Sequence, residues 1–395
     1  MAEREVVVLS AVRTAIGKFG GGLKDVPPSA LAGRVVQEAV QRSGVVPDAF
    51  GHVVFGNVIH TDAKDMYLSR VAAIQGGLPV DTPALTLNRL CGSGLQAIAT
   101  AADMIQTSQC DAVVAGGAEC MSRAPYWIPA MRWGARLNDV SALDVMVAAL
   151  TDPFDNVHMG ITAENIARRF GISRQAQDCL AVTSHARATA AIAAGRFADQ
   201  IVPIEVKVKG GSVQFSQDES PRTDATRESL AKLKPAFSED GTVTPGNASS
   251  INDGAAAVTL MEGRAASELG LKPMARLVVY AVTAVEPKVM GIGPISAVRK
   301  VMQRSGLSIA DMDVIELNEA FAAQTLAVMQ ELQLPADKTN PNGSGISLGH
   351  PLGATGAIVT VKALYELRRI GGRYALVTMC IGGGQGIAAI FEAIH

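Results

Sequence analysis

Three residues in glycine-rich stretches have side chains suited to nucleophilic or acid–base chemistry: Cys91, His350 and Cys380. Cys91 lies in NRLCGSGLQA, just before a stretch that is predicted to form a helix. The free N–H groups and the positive dipole at the start of a helix favour a thiolate, the nucleophilic form of cysteine. We expect Gly92 and Gly94 to leave the sulfur and backbone open to a substrate, so that the N–H of Cys91 can also bind an oxyanion. Taken alone, this stretch fits an inert buried cysteine equally well.

His350 lies in NGSGISLGHPLGATG, a loop that precedes a second predicted helix. There it could take a proton from a thiol or donate to a carbonyl oxygen, and the alternative is a loop histidine without a role.

Cys380 ends the apolar run YALVTMC and precedes IGGGQG, whose N–H groups could face an anion. Because this glycine spacing is not GxGxxG and no helix follows it, a dinucleotide loop is disfavoured. Asn318 and Glu319, in ELNEAFAAQ, either cap a helix or, in the case of Asn318, hold a water or bind a carbonyl.

These residues lie among alternating strand-like and helix-like stretches. Apolar, β-branched runs predict strands at 5–12, 52–59, 111–117, 277–282, 313–317, 374–380 and 386–391. Helices are predicted at 29–43, 93–107, 294–305, 319–332 and 353–369. This alternation predicts an α/β protein with largely parallel sheets.

The chain also carries a repeated pattern that indicates a tandem duplication. AVQRSG at 39–44 and VMQRSG at 301–306 are each followed by an apolar strand that ends in Asn57 or Asn318. Each half then has a glycine-rich turn, a long helix, a strand and a Gly-Gly pair. Because sites in open α/β sheets gather at the carboxyl ends of strands, we expect the turns of both halves to meet there.

Residues 121–251 interrupt this pattern and are predicted to be an insertion. They contain both tryptophans and the turn-rich stretches KGGSV and SEDGTVTPGNASS. Such an insertion is expected to cover the site as a lid or a ligand-binding segment. His158 and Met159, in NVHMGITAEN, are interpreted by default as a helix cap and a packed methionine. The predicted domains are 1–120 with 252–273, the insertion 121–251, and 274–395.

Composition narrows the class of protein. With 395 residues, 48% hydrophobic and 18% charged, the chain is long enough for two or three globular domains. Its net charge of −2 favours neither nucleic acid nor an anionic membrane surface as a partner. Five cysteines without a CxxC pair fit neither a disulfide framework nor a zinc site, which favours a reducing, cytoplasmic setting.

Two stretches are checked for targeting and membrane insertion. The N-terminal MAEREVVVLS lacks the apolar core and cleavage site of a signal peptide. Residues 374–391 carry no charge, which is long enough to suggest a membrane span. Because glycines lie at the centre of this stretch, two short buried strands joined by a turn are the favoured interpretation.

Four blocks resemble the thiolase family in their order and spacing: NRLCGSGLQA, ELNEAFAAQ, GISLGHPLGATG and CIGGGQG. HMGITAEN, GTVTPGNASSINDGAA and VMGIGP extend the resemblance over the whole chain, which looks closest to bacterial biosynthetic-type or broad-range β-ketothiolases. The resemblance implies two similar βαβαβαββ halves in a five-layer αβαβα arrangement with an inserted loop domain. It also implies a cytoplasmic homotetramer or homodimer.

The activity implied by this resemblance is reversible Claisen condensation and thiolysis of 3-ketoacyl-CoA with ping-pong kinetics. Cys91 would carry the acyl group as a thioester. His350 would activate Cys91 and help bind the thioester carbonyl oxygen, while Cys380 would move a second proton at Cα. Asn318 would position a water that completes one oxyanion hole with His350, and the N–H groups of Cys91 and Gly382 would form the other.

The substrates implied are acyl-CoA and CoA, with no metal and no nicotinamide as cofactor. Positions that match the CoA and pantetheine tunnel are Leu150, His158, Met159, Arg222, Ser229, Phe237 and Ser249, and those near the acyl pocket are Met290 and Phe321. The chain departs from the common family pattern at 343–347 (GSGIS), at 245–250 (PGNASS) and at Thr223, where a histidine is frequent. These departures bear on acyl-chain preference and on CoA contacts.

Three other functions are weighed against this one. A decarboxylating ketoacyl synthase shares the fold, but its sites resemble Cys-His-His, whereas Cys380 stands at the third position here. A dinucleotide-dependent oxidoreductase lacks support because GxGxxG is missing. A catalytically silent thioester-binding protein would be expected to have lost one of the three reactive residues.

Overall fold

The computed structural model describes residues 4–394. Its helices are α1 (Pro28–Ser43), α2 (Leu68–Gln75), α3 (Ser93–Gln106), α4 (Val145–Ala149), α5 (Met159–Phe170), α6 (Arg174–Ala193), α7 (Arg227–Ala231), α8 (Gly263–Glu268), α9 (Gly293–Ser305), α10 (Ala322–Leu332), α11 (Gly345–Leu348) and α12 (Leu352–Ile370). Its strands are β1 (Val6–Thr14), β2 (Gly17–Lys18), β3 (His52–Gly56), β4 (Ala84–Leu87), β5 (Ala112–Cys120), β6 (Tyr126–Trp127), β7 (Leu143–Asp144), β8 (Ile201–Val202), β9 (Ile204–Val208), β10 (Gly211–Phe215), β11 (Asn252–Glu262), β12 (Ala275–Ala284), β13 (Val314–Leu317), β14 (Tyr374–Ile381) and β15 (Gln385–Ala393).

The long strands form one hydrogen-bonded path in the order β13-β14-β15-β12-β1-β11-β5-β3-β4. Strand β3 runs parallel to β4 and β5, and β13 runs parallel to β14. The other pairs along the path are antiparallel, so the prediction of largely parallel sheets is wrong. The tight turn between β14 and β15 permits only antiparallel pairing, because a parallel return needs a long crossover.

Helices and strands alternate in five layers around three apolar cores. Helices α3 and α12 lie in the middle and pack against strands of both halves. On one outer side α1 and α2 cover the strands of the first half, and on the other α9 and α10 cover those of the second. The five-layer thiolase-like fold predicted from the resemblance is thus confirmed. The domain limits remain a prediction.

The repeated QRSG marks equivalent helix ends. Helices α1 and α9 stop at Ser43 and Ser305, and the glycine that follows each adopts a left-handed conformation, with φ of 73° and 72°. In each case the serine hydroxyl bonds a carbonyl of the last turn, 2.7 Å from Val40 O and 2.8 Å from Val301 O. A glycine carries no Cβ penalty at this position, so the repeated sequence encodes the same helix stop twice.

Several parts of the chain differ from the predicted elements, among them α2 and β4, which were not predicted. The insertion is not mainly loop, since it contains α4 to α7 and two small hairpins. Strand β11, which lies between β1 and β5, was not predicted. Helix α10 begins at Ala322 rather than near 319, which leaves Asn318 and Glu319 in the irregular segment before it.

The charge-free stretch at 374–391 forms β14 and most of β15, as predicted. Among residues 4–394, no helix is long and apolar enough to cross a membrane.

Candidate active site

A cavity of about 670 Å³ opens between the two halves and the insertion. Cys91, His350 and Gly382 all lie on its wall, at turns that follow β4, precede α12 and follow β14. The insertion supplies much of the remaining wall. Eight of the nine residues predicted to contact CoA or the acyl group also line the cavity: Leu150, His158, Met159, Arg222, Phe237, Ser249, Met290 and Phe321.

Cys91 lies in a strained turn ahead of α3. The residue before it, Leu90, has a φ of 45°, a left-handed conformation that is costly for a side chain of this size. The Leu90 N–H donates to Asn88 Oδ1 at 2.8 Å, which holds this turn. Burial raises the pKa of the Cys91 thiol to about 11, although hydrogen bonds from the backbone of Gly382 and of Cys91 itself partly offset this. The expectation of a ready thiolate is therefore wrong, because desolvation outweighs the helix start, and Cys91 needs a base.

Gly92 and Gly94 serve protein packing. A Cβ on Gly92 would lie 2.6 Å from Ile381 Cδ1, and one on Gly94 would lie 2.5 Å from the Ala357 nitrogen. The start of α3 thus packs directly on β14 and α12 of the other half. The expectation that these glycines keep the sulfur open to a substrate stays a prediction.

His350 is buried and is held by contacts at its backbone and its ring. Its N–H donates to Asn252 Oδ1 at 2.9 Å. The preceding Gly349 has a φ of 114°, and a Cβ there would lie 2.4 Å from Asn252, so only glycine fits. On the ring, Nδ1 lies 2.7 Å from Thr355 Oγ1, and Nε2 lies 3.4 Å from Asn318 Nδ2. Burial lowers the pKa of His350 to about 4, so its imidazole is neutral at neutral pH.

Cys380 lies behind the cavity wall at the end of β14. It is fully buried in a cluster with Met159, Met290 and Phe321. Burial raises the pKa of this thiol well above its usual range, and the nearby Cys91 adds to the effect. Cys380 is therefore a protonated thiol in the resting protein, able to donate a proton to a carbanion at short range.

Asn318 and Glu319 do not cap α10, whose N-terminus lacks a side-chain cap. Asn318 is fully buried beside His350, and its Oδ1 has no protein hydrogen-bond partner within residues 4–394. Glu319 instead accepts hydrogen bonds from the Ser184 hydroxyl at 2.6 Å and from Asn340 Nδ2 at 3.0 Å. Asn318 does not itself line the cavity, but of the pair it is therefore the one with a polar atom, unpartnered in the described chain, beside His350.

The insertion brings aromatic rings to the cavity. His158 caps α5 by accepting from the Gly160 N–H at 3.0 Å, and its ring stacks on Phe237 with a centroid distance of 4.6 Å. Phe237 in turn meets Phe321 edge to face, with centroids 6.4 Å apart. The interpretation of His158 as a cap is confirmed, and the same residue forms part of the wall. Ser229 does not line the cavity, because it lies on α7 and completes a capping box with Thr226.

Four residues around the site were missed in the sequence. Thr355 contacts the His350 ring, Asn252 fixes the His350 backbone, and His185 lines the cavity and accepts from the Arg222 N–H at 3.1 Å. Glu119 accepts from Gly353 N at 2.9 Å, just inside α12. Thr355 follows His350 by five residues in the same motif, which is the one available sequence signal. The others come from distant segments.

Family models match almost the whole chain. Residues 6–264 match the model of the thiolase N-terminal domain, and residues 271–393 match that of the thiolase C-terminal domain. The chain belongs to the thiolase family. It is an acetyl-CoA C-acyltransferase, a class of enzyme that joins acyl-CoA units by Claisen condensation and cleaves 3-ketoacyl-CoA by thiolysis.

Individual thiolases are similar over their full length. The chain is 61% identical over 392 residues to the beta-ketothiolase BktB of Cupriavidus necator, covering 99% of this chain and 100% of that protein. It superposes on the crystal structure of the Bacillus anthracis acetyl-CoA acetyltransferase with a TM-score of 0.98 at 48% identity, covering all of both chains. It also superposes on the human mitochondrial 3-ketoacyl-CoA thiolase in complex with CoA, with a TM-score of 0.96 at 43% identity, covering 99% of this chain and 98% of that one.

Proposed function

We propose that Cys91, His350 and Cys380 carry out the thiolase reaction by a ping-pong mechanism. In the first half-reaction, the Cys91 sulfur attacks the thioester carbonyl of an acyl-CoA. The acyl–CoA thioester bond breaks, a Cys91 thioester forms, and CoA leaves as its thiol. A covalent acyl-enzyme separates the leaving of CoA from the formation of the new carbon–carbon bond.

His350 is the base for the first half-reaction. Since Cys91 is a thiol at neutral pH, its proton must be removed as the sulfur attacks, and the neutral imidazole on the same cavity wall can accept it. The proton then passes to the departing CoA sulfur. The N–H groups of Cys91 and Gly382 bind the carbonyl oxygen as negative charge develops on it. Both N–H groups form hydrogen bonds to the Cys91 sulfur, which supports this role because the carbonyl carbon is attacked by that sulfur.

Cys380 acts in the second half-reaction. In condensation its proton first passes to the neutral His350 imidazole, and the resulting Cys380 thiolate takes a proton from Cα of the incoming acyl-CoA. The carbanion attacks the acyl group on Cys91, the Cys91 thioester bond breaks, and the released sulfur takes the proton from His350. In the thiolysis direction the same thiol protonates the enolate. His350 and a water bound by Asn318 hold the oxygen of the enolate, a role that the buried, available amide of Asn318 supports.

The cavity is proposed to take CoA thioesters through its insertion side. The Phe237, His158 and Phe321 rings offer apolar faces to pantetheine, and the exposed Arg222 stands where a phosphate would be attracted. The reaction is proposed to need no metal and no nicotinamide, with CoA as substrate and product. Because the reaction is reversible, the same site can work in the direction of thiolysis or of condensation.

The observation that carries this proposal is the meeting of both halves at one cavity. Cys91 from the first half shares a wall with His350 and Gly382 from the second, and Cys380 is packed directly behind. Two acid–base groups and one nucleophile, supplied by separate turns, are what a two-proton acyl transfer requires.

The test is thiolysis of acetoacetyl-CoA by CoA, followed as loss of the enolate absorbance. The wild-type enzyme should consume acetoacetyl-CoA and form an acetylated protein, with the acetyl group on Cys91 by peptide mass spectrometry. Cys91→Ala should do neither, while Cys179→Ala, at a cysteine on α6 away from the cavity, should behave as wild type. Thiolysis by Cys91→Ala, or acetylation elsewhere, would contradict the mechanism.

We also propose that the enzyme is a homodimer or homotetramer in a reducing, cytoplasmic compartment. Strand β4 is at the end of the sheet and leaves a backbone edge free for pairing. The segment 126–143 exposes large apolar side chains, among them Trp133 and Leu137 at 82% and 85%. Five free cysteines support the compartment. Light scattering of the wild type should give the mass of a dimer or a tetramer. The double variant Trp133→Ser, Leu137→Ser should give a smaller mass. A monomer mass for the wild type would refute the proposed oligomer.

A further inference from the structure

A single hydroxyl group links the ring of His350 to the helix that follows it. Thr355 Oγ1 lies 2.7 Å from His350 Nδ1 and 2.8 Å from the carbonyl oxygen of Pro351. Both contacts are inside the protein, since Thr355 and His350 are 2% and 5% exposed. A hydroxyl has one hydrogen to donate and lone pairs to accept with, so the two contacts must divide these roles. A carbonyl oxygen can only accept.

The hydroxyl hydrogen of Thr355 therefore goes to Pro351 O, and Thr355 Oγ1 accepts a hydrogen bond from the imidazole. This leaves a lone pair of Thr355 facing Nδ1, which must carry the ring hydrogen. The ring is neutral, because burial lowers the pKa of His350, so it has only one hydrogen. Nε2 is then without a hydrogen and can accept one.

We propose that Thr355 is a positioning residue that fixes His350 in the Nδ1–H tautomer, so that Nε2 is the atom that takes the proton of Cys91. This inference rests on the proposed role of His350 as base. The Cys91 S–H bond breaks, its electron pair stays on sulfur, and the proton forms a new bond with Nε2. The imidazolium keeps its Nδ1–H on Thr355 throughout.

The same arrangement assigns both proposed functions of His350 to one atom. Before proton transfer Nε2 is an acceptor, which suits the Asn318 Nδ2 group 3.4 Å away. After transfer Nε2–H is a donor and can hold a carbonyl oxygen. A ring free to exchange tautomers would lose one of these states, since Nδ1 is occupied by Thr355 and does not face the cavity.

Helix α12 offers a matched control for the variants. Thr360 is also buried, and its hydroxyl donates to the carbonyl four residues back, Gly356 O, at 2.8 Å. Thr360→Val thus removes the same kind of helix hydrogen bond as Thr355→Val, with no effect on His350. Thr355→Ser keeps the hydroxyl and removes only a methyl group.

The direct measurement is the nitrogen NMR spectrum of histidine-labelled enzyme near pH 8, with the His350 signals assigned by His350→Asn. The wild type and Thr355→Ser should show a protonated Nδ1 and a bare Nε2. In Thr355→Val the Nδ1–H loses its acceptor, and the Nε2–H form should become populated. An Nε2–H ring in the wild type would overturn the proposal even if Thr355→Val does not fold.

The kinetic measurement is the rate of Cys91 acetylation and of thiolysis turnover. In Thr355→Val both should fall roughly 10- to 100-fold, as is usual when the partner of a functional histidine is removed, with KM nearly unchanged. Thr355→Ser should restore most of the rate and Thr360→Val should match wild type. Equal rates in Thr355→Val and Thr360→Val would refute the inference alone, whereas a wild type that never acetylates Cys91 would refute the proposed function instead.

Discussion

The carboxyl ends of β3 and β13 carry equivalent asparagines with different partners. Asn57 donates through Nδ2 to Ala118 O at 2.9 Å and to Glu119 Oε1 at 3.0 Å, both within its own half. Among residues 4–394, the Nδ2 of Asn318 contacts only the His350 ring, at 3.4 Å. Both Oδ1 atoms are buried without a protein partner in the described chain, so the difference lies in Nδ2. One asparagine is committed to structure, and the other remains available for chemistry.

The helices that start beside these strands diverge in the same way. Helices α3 and α12 are equivalent and pack on each other, and both begin at the cavity. The first presents Cys91, whereas the second presents His350 with Thr355 behind it. In the proposed mechanism, two similar helix starts therefore have different functions, since one presents the nucleophile and the other presents the base. Fold and function are separable here.

The largest effect is expected when the base is removed from the second half. His350→Gln should slow acetylation of Cys91 by about 10²- to 10⁴-fold, the usual range for a general base. Since the pKa of Cys91 is about 11, its alkylation by iodoacetamide in this variant should rise about tenfold per pH unit between roughly pH 7 and 10. The wild type should show a much shallower rise. The same steep rise in both proteins would mean that His350 does not activate Cys91.

A smaller effect is expected at the second thiol, and the first half offers its control. Cys120 is the last residue of β5 and Cys380 the penultimate residue of β14, and both are buried. Cys380→Ser should still acetylate Cys91 but turn over about 10²-fold or more slowly, because the second proton lacks its carrier. Cys120→Ser should turn over as the wild type does. Burst and steady-state phases measured together separate these steps, and normal turnover in Cys380→Ser would reassign the acid.

The asparagines themselves should separate activity from stability. Asn318→Ala should lower kcat by about 10²-fold with little change in the urea midpoint, since one oxyanion contact is lost. Asn57→Ala should instead lower the free energy of unfolding by about 1–3 kcal/mol, because it removes a buried donor from Glu119. Its kcat should remain close to that of the wild type. Equal losses of kcat in the two variants would show that the halves have not diverged in this respect.

Much of the fold and site followed from sequence because strong local patterns encode them. The glycine-rich turns, the repeated QRSG and the apolar runs place seven of the nine strands along the main sheet path and both central helices within a few residues. Strand β11 escaped because its alanine-rich sequence has low strand propensity, and its burial between β1 and β5 decides its structure. The prediction of a Cys91 thiolate was wrong for a related reason, because the desolvation that raises the pKa of this thiol depends on how the two halves of the chain pack. The contacts of Asn252 and Glu119 join segments far apart in the chain, so no local pattern reports them.

An effect on stability alone is expected at Glu119, which ties the first half to the start of α12. This carboxyl group accepts from Val58, Ile59 and Gly353 N–H groups, yet its full burial raises its pKa from 4.5 to about 7. A carboxyl group with a raised pKa binds its proton more tightly in the folded state, so its stabilisation is complete below about pH 4.5 and is lost as the pH rises to about 7. The loss is on the order of 3 kcal/mol.

Glu119→Gln removes this titration while keeping the shape of the side chain. Urea unfolding of the wild type should give a lower free energy at pH 8 than at pH 5, and the difference should shrink in the variant. The absolute stability of Glu119→Gln should fall at both pH values, because an amide accepts fewer of the backbone N–H groups. Glu316, whose pKa burial also raises to about 7, is unchanged in both proteins and cancels in the comparison. An unchanged pH difference would show that Glu119 is ionised in the folded enzyme and stabilised by its donors.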